Sequence, residues 1–96
     1  MTSQTRRLYI PEAHPTAALH FPGLPVVPAA LLLAEVAALI AGVVPLRFQA
    51  VKFIAPVRYG EALELAWRME GRLASFRVLR SAEAVPVMAG TLEILA

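Results

Sequence analysis

The sequence predicts an α+β domain in which a curved antiparallel β-sheet wraps around one long helix. Three observations carry this. Residues 29–41 are nearly all strong helix formers and lack a polar stripe. Four later segments, residues 46–54, 62–69, 73–80 and 85–95, alternate in the manner of strands. Gly60 and Gly71 supply turns at about ten-residue spacing, which suits an antiparallel meander.

Taken in order, residues 1–5 are polar and are expected to fray. Residues 6–10 can form a short first strand. Residues 11–16, with Pro11, His14 and Pro15, read as a loop, and residues 16–21 as a short extended piece. A rigid bend follows, because Pro22, Pro25 and Pro28 each lock φ and Gly23 alone tolerates positive φ. Pro28 suits the first turn of the helix, where its missing N–H costs nothing. Gly42 closes the helix and Pro45 prevents its return. With apolar residues all round, the helix is expected to be buried on almost every side.

The chain has 96 residues, 58% of them apolar and 17% charged. This length suits one domain spanning residues 1–96, and such a domain has a thin core. So much apolar surface on so small a body implies a tight dimer or higher oligomer, identical or mixed. There is no cysteine, which excludes disulfides and thiolate chemistry and fits a reducing cytoplasm. The net charge is +2 and Lys52 is the single lysine, so no basic run points to nucleic acid. The apolar run at residues 29–44 is shorter than the roughly 20 residues that cross a bilayer, and Glu35 interrupts it. No transmembrane span is expected.

The stretch His20-Phe21-Pro22-Gly23-x-Pro25-x-x-Pro28 resembles the signature of the hotdog-fold 3-hydroxyacyl-(acyl carrier protein) dehydratases. It looks most like the small dehydratase-like proteins of aryl-polyene and related lipid or polyketide pathways. Downstream, residues 51–61 (Val-Lys-Phe-Ile-Ala-Pro-Val-Arg-Tyr-Gly-Glu) are similar to a second family pattern: a cation, Phe, two residues, Pro-Val, two residues, Gly-Asp. The order of elements fits as well, and the likeness spans roughly residues 6–95. It implies a single hotdog domain, a dimer, and a substrate carried on the phosphopantetheine of an acyl carrier protein, with no other cofactor and no metal. In that family a histidine from one subunit meets an Asp or Glu from the partner's central helix in a tunnel at the interface. The histidine falls on His20 here.

The acid position falls on Ala34, and the nearest carboxylate is Glu35. One step along a helix turns a side chain by about 100°, so Glu35 is not a simple substitute. The glycine usual after the last proline is Ala29, the glutamine beyond the acid is Ala38, and the proline before Gly60 is Tyr59. The resemblance implies His20 as base, Glu35 as the acid nearest the expected position, and Gly23, Pro28, Ala29 and Phe53 as substrate contacts.

Chemically, dehydration of a 3-hydroxyacyl thioester needs a base near neutral pKa, an acid for the departing hydroxyl, and a donor for the enolate oxygen. An imidazole titrates in the right range. The backbone N–H at Ala29, at a helix start, can polarise a carbonyl. A bland reading of His20 is a turn histidine bonded to a nearby carbonyl. Glu35 has three: an interfacial acid, a structural partner of Arg47 or Arg58, or an exposed carboxylate with no role. His14 reads as a loop residue, and Phe48, Phe53, Tyr59, Trp67 and Phe76 as sheet and core aromatics. Arg47, Lys52, Arg58 and Arg77 are either solvated or contacts for a phosphate or an acidic carrier protein. Two classes of function remain: a hydro-lyase, or a non-catalytic hotdog subunit that pairs with an active dehydratase or synthase. A hotdog thioesterase is a third option that His20-Phe21-Pro22-Gly23 does not favour.

Overall fold

A computed structural model describes residues 2–14 and 26–96. Five strands and one helix follow in the order β1 (Thr2–Leu8), α1 (Ala29–Ala41), β2 (Leu46–Phe53), β3 (Leu63–Glu70), β4 (Leu73–Arg80) and β5 (Val85–Ile94). The strands make one antiparallel sheet in the order β1-β3-β4-β5-β2, and α1 packs on one face. This is the α+β class expected, with four of its strands within two residues of the expected bounds; β3, β4 and β5 run as a meander, while β2 pairs with β5 and not with β3.

Alternation decides which face each strand buries. Leu63, Leu65 and Trp67 of β3 and Ala74, Phe76 and Val78 of β4 all point into the core. Their neighbours Glu64, Arg68, Ser75 and Arg77 face out. Glu70 and Leu73 close the β3–β4 ladder, and Gly71 takes positive φ (62°) in the two-residue turn between them. Two bulges interrupt this regularity. In β5 the register shifts opposite Val78 and Leu79, so the consecutive Val87 and Met88 are both buried. In β2 the shift falls between Phe48 and Ala50 and leaves Gln49 as the extra residue. Gly90 lies beneath that bulge. A Cβ there would collide with the Ala50 carbonyl oxygen and come within 2.9 Å of Phe76 Cζ.

Two expectations are corrected. Strand β1 begins at Thr2, not at residue 6, and residues 2–5, expected to fray, are laddered with Met69 to Ala66 of β3. An edge strand needs no apolar alternation to pair, so its polar sequence concealed it. Helix α1 is not buried on almost every side. Leu32 and Val36 are buried, whereas Ala29, Ala30, Ala34 and Ala38 are exposed. A single sheet layer covers only one flank of a helix, and this chain supplies one layer. Among the described residues, no helix is long and apolar enough to cross a membrane.

Candidate functional site

The site is built where the start of α1 meets the end of β2. Pro28 stands at the N-cap position with φ −60° and ψ 140°, and no side chain caps the helix among the described residues. The first N–H groups of a helix have no acceptor within it, so this end carries unspent donors and partial positive charge. Opposite it, the bulge in β2 sets Phe53 on the helix side of the sheet, and the chain then turns into the 54–61 loop. Between these walls lies a cleft of about 390 Å³. Pro28, Ala29 and Leu32 line one side; Phe53, Ile54 and Val57 line the other. The lining is apolar, with the helix terminus as its polar feature.

The 54–61 loop is tied down at several points. The Val27 N–H donates to the Val57 carbonyl at 2.7 Å, and Val26 bridges Arg58. The Ile54 and Ala55 N–H groups both reach the Val87 carbonyl, at 2.9 and 3.3 Å. The Gly60 N–H donates to the Ile10 carbonyl at 2.7 Å, and Gly60 takes φ 83° with the Glu12 side chain packed where a Cβ would stand. A side-chain clamp completes the set. Glu61 Oε1 accepts the Arg58 N–H at 3.1 Å, Glu61 Oε2 accepts Arg80 Nε, and Arg80 Nη2 donates to the Pro56 carbonyl at 2.6 Å. Both side chains are about three-quarters shielded, so the pair is dry enough to hold the loop firmly.

Of the residues singled out from the sequence, Pro28, Ala29 and Phe53 come together in this cleft. His20 and Gly23 lie outside the described residues. Glu35 is half-buried on the flank of the Leu32–Val36 stripe and does not line the cleft. Of its expected structural partners, Arg47 is engaged elsewhere, its Nη2 pairing with Glu93 Oε1 at 2.9 Å, while the Glu61 side chain takes the backbone N–H of Arg58 and not its guanidinium. No ion pair joins Glu35 to either arginine in this chain. Ala34, at the position the family signature gives to an acid, is on the exposed side of the helix. The sequence reading missed the Glu61–Arg80 clamp and the role of Val87. Glu61 lay in the Gly60-Glu61 pair, but nothing local connects it to Arg80 nineteen residues on.

No family model matches this chain, and no curated protein matches it by sequence. Solved structures do. The chain superposes on the dehydratase heterocomplex ApeI:P from Xenorhabdus doucetiae with a TM-score of 0.74 and 21% identity, covering 96% of this chain and 86% of that one. With the R-hydratase PhaJ1 from Pseudomonas aeruginosa the TM-score is 0.70 at 20% identity, covering 99% and 79%. With Slr0204, a 1,4-dihydroxy-2-naphthoyl-CoA thioesterase from Synechocystis, it is 0.63 at 11% identity, covering 99% and 85%. At such identities the likeness establishes the fold: the chain is a hotdog domain. The neighbours span dehydratase, hydratase and thioesterase chemistry, so the fold alone does not select a reaction.

Proposed function

We propose that the chain is a dehydratase-like hotdog protein that binds carrier-borne 3-hydroxyacyl thioesters, working in the cytoplasm as one half of a dimer with an identical or different hotdog chain. The observation that carries this is the cleft itself: an apolar slot joining Pro28 and Ala29, from the first family-like motif, to Phe53, from the second. An acyl chain suits the apolar walls, and the thioester carbonyl suits the Ala29 N–H at the helix start. His20 then takes the Cα proton. The C–O bond to the β-hydroxyl breaks as the Cα–Cβ double bond forms, and water leaves once the hydroxyl is protonated. Glu35 of the second subunit is the acid in this scheme, and the phosphopantetheine arm of an acyl carrier protein delivers the substrate. The test is interconversion of 3-hydroxyacyl and 2-enoyl thioesters by the purified protein. His20→Ala is expected to lower turnover by about 10²-fold or more. Unchanged turnover by that variant removes the mechanism.

A second reading has its own support. With alanine at position 34, where the resemblance places the acid, the chain also fits a non-catalytic subunit that completes the tunnel of an active partner. It predicts no turnover by the chain alone and turnover by a mixed dimer. The dehydratase neighbour ApeI:P is itself described as a heterocomplex.

A further inference from the structure

β2 is an edge strand of the sheet; Arg47, Lys52 and the Gln49 bulge protect its outer row, but its helix-side row has no such protection. Its helix-side row is apolar: Leu46, Phe48, Val51 and Phe53. Phe53 and Ile54 are 51% and 45% exposed, and Val43 and Val44, just before the strand, are 101% and 39% exposed. Such a row gains by continuing the sheet into a second chain.

The bulge at Gln49 restricts how a second copy could do so. A two-fold axis perpendicular to the sheet pairs the two β2 strands antiparallel and keeps both apolar faces on one side. Alternation in β2 is interrupted once, with Phe48 and Val51 on the same face. One register matches faces along the whole strand: Leu46 opposite the second copy's Phe53, Phe48 opposite Val51, and Arg47 opposite Lys52. The apolar row is satisfied by this arrangement. The outer row is not, because Arg47 meets Lys52 twice across the axis, and like charges directly opposite are destabilising. Other charged groups reach the seam from the neighbouring strand. Glu93 of β5 binds Arg47, while Lys52 has Ala89 beside it on β5 and no ion pair among the described residues. Each copy thus brings two cations and one carboxylate, and the seam stays positive.

We infer that the β2 edge is built to pair with a non-identical chain, one whose edge strand repeats the apolar row and places a carboxylate opposite Lys52. The inference rests on the paired-hotdog reading above and is independent of the reaction assigned to it. It makes the mixed dimer the working form.

The test uses an acidic-edge copy of this chain, the Arg47→Glu, Lys52→Glu double variant, as the partner. Sedimentation equilibrium is run on the wild type, the variant and an equimolar mixture. In the mixture both cross-strand pairs become attractive; in either protein alone both are repulsive. The 1:1 complex is expected to be at least about tenfold tighter than either self-association, and to weaken as salt rises from about 0.05 to 0.5 M. The single variant Lys52→Glu, which leaves the Arg47–Glu93 pair intact, is expected to self-associate at least about tenfold more tightly than the wild type. A wild-type homodimer as tight as the mixed complex overturns the inference, and so does a mixture that fails to associate. A mixed complex that forms but leaves 3-hydroxyacyl thioesters unchanged preserves the pairing and rejects the reaction.

Discussion

The two edges of the sheet differ in almost every respect. β1 reads Thr-Ser-Gln-Thr-Arg-Arg-Leu, and residues 3–7 are exposed on both faces. β2 reads Leu-Arg-Phe-Gln-Ala-Val-Lys-Phe, with an apolar residue at every position on its helix side. Polar and charged residues at an edge discourage addition of another strand, and an apolar row invites it. Both edges end at functional ground, but in opposite ways. After β1, the Pro11–His14 turn packs its Glu12 against Gly60 and helps brace the 54–61 loop. After β2, Phe53 enters the cleft directly. One edge closes the molecule and the other presents it.

The contrast is broken most severely at Gly90. Gly90→Val drives a side chain into the Ala50 carbonyl and the Phe76 ring, at an expected cost of about 3 kcal/mol. Hydrogen exchange is expected to show β2 opening while the β1–β3–β4 ladder stays protected; equal loss at both edges would show that they are not independent. Next is Arg80→Met, which leaves the partly buried Glu61 carboxylate without its cation and the Pro56 carbonyl without its donor. A loss of about 2 kcal/mol is expected, with faster exchange at Val27, whose N–H is held by the same loop. Unaltered exchange at Val27 would show that the clamp does not brace the cleft wall. Ala84→Gly works in the stabilising direction. Ala84 holds φ 53° in the β4–β5 turn, and relief of that conformation is expected to add about 0.5–1 kcal/mol in a urea titration. Smallest is Thr5→Lys on β1, where one more cation at a polar edge is expected to shift stability by less than about 0.5 kcal/mol.

Much of the fold was legible because β2 to β5 follow local rules. Alternation set their faces, and Gly71 placed the tightest turn. What escaped was whatever depends on a second layer or a distant partner. α1 is apolar all round, and that pattern signals complete burial; one sheet buries only Leu32 and Val36. β1 pairs through its backbone and needs no pattern, so its first residues looked frayed. At the site, Pro28, Ala29 and Phe53 were identified through two motifs twenty-five residues apart, and the fold brings them to one cleft. The clamp was invisible because a Glu and an Arg nineteen residues apart leave no periodic trace. Glu35 was read with three possible roles; within this chain it forms no ion pair with Arg47, which pairs with Glu93, or with Arg58.

The extra residue at Gln49 has an effect that reaches past its own strand. Pairing it as an ordinary strand residue, with the bulge flattened, would impose simple alternation and turn everything after it to the other face. Lys52 would then turn toward the helix and Phe53 toward solvent, giving the slot an ammonium where it now has a phenyl ring. The greasiness of this pocket is therefore governed by a single residue left out of the ladder between Phe48 and Phe53.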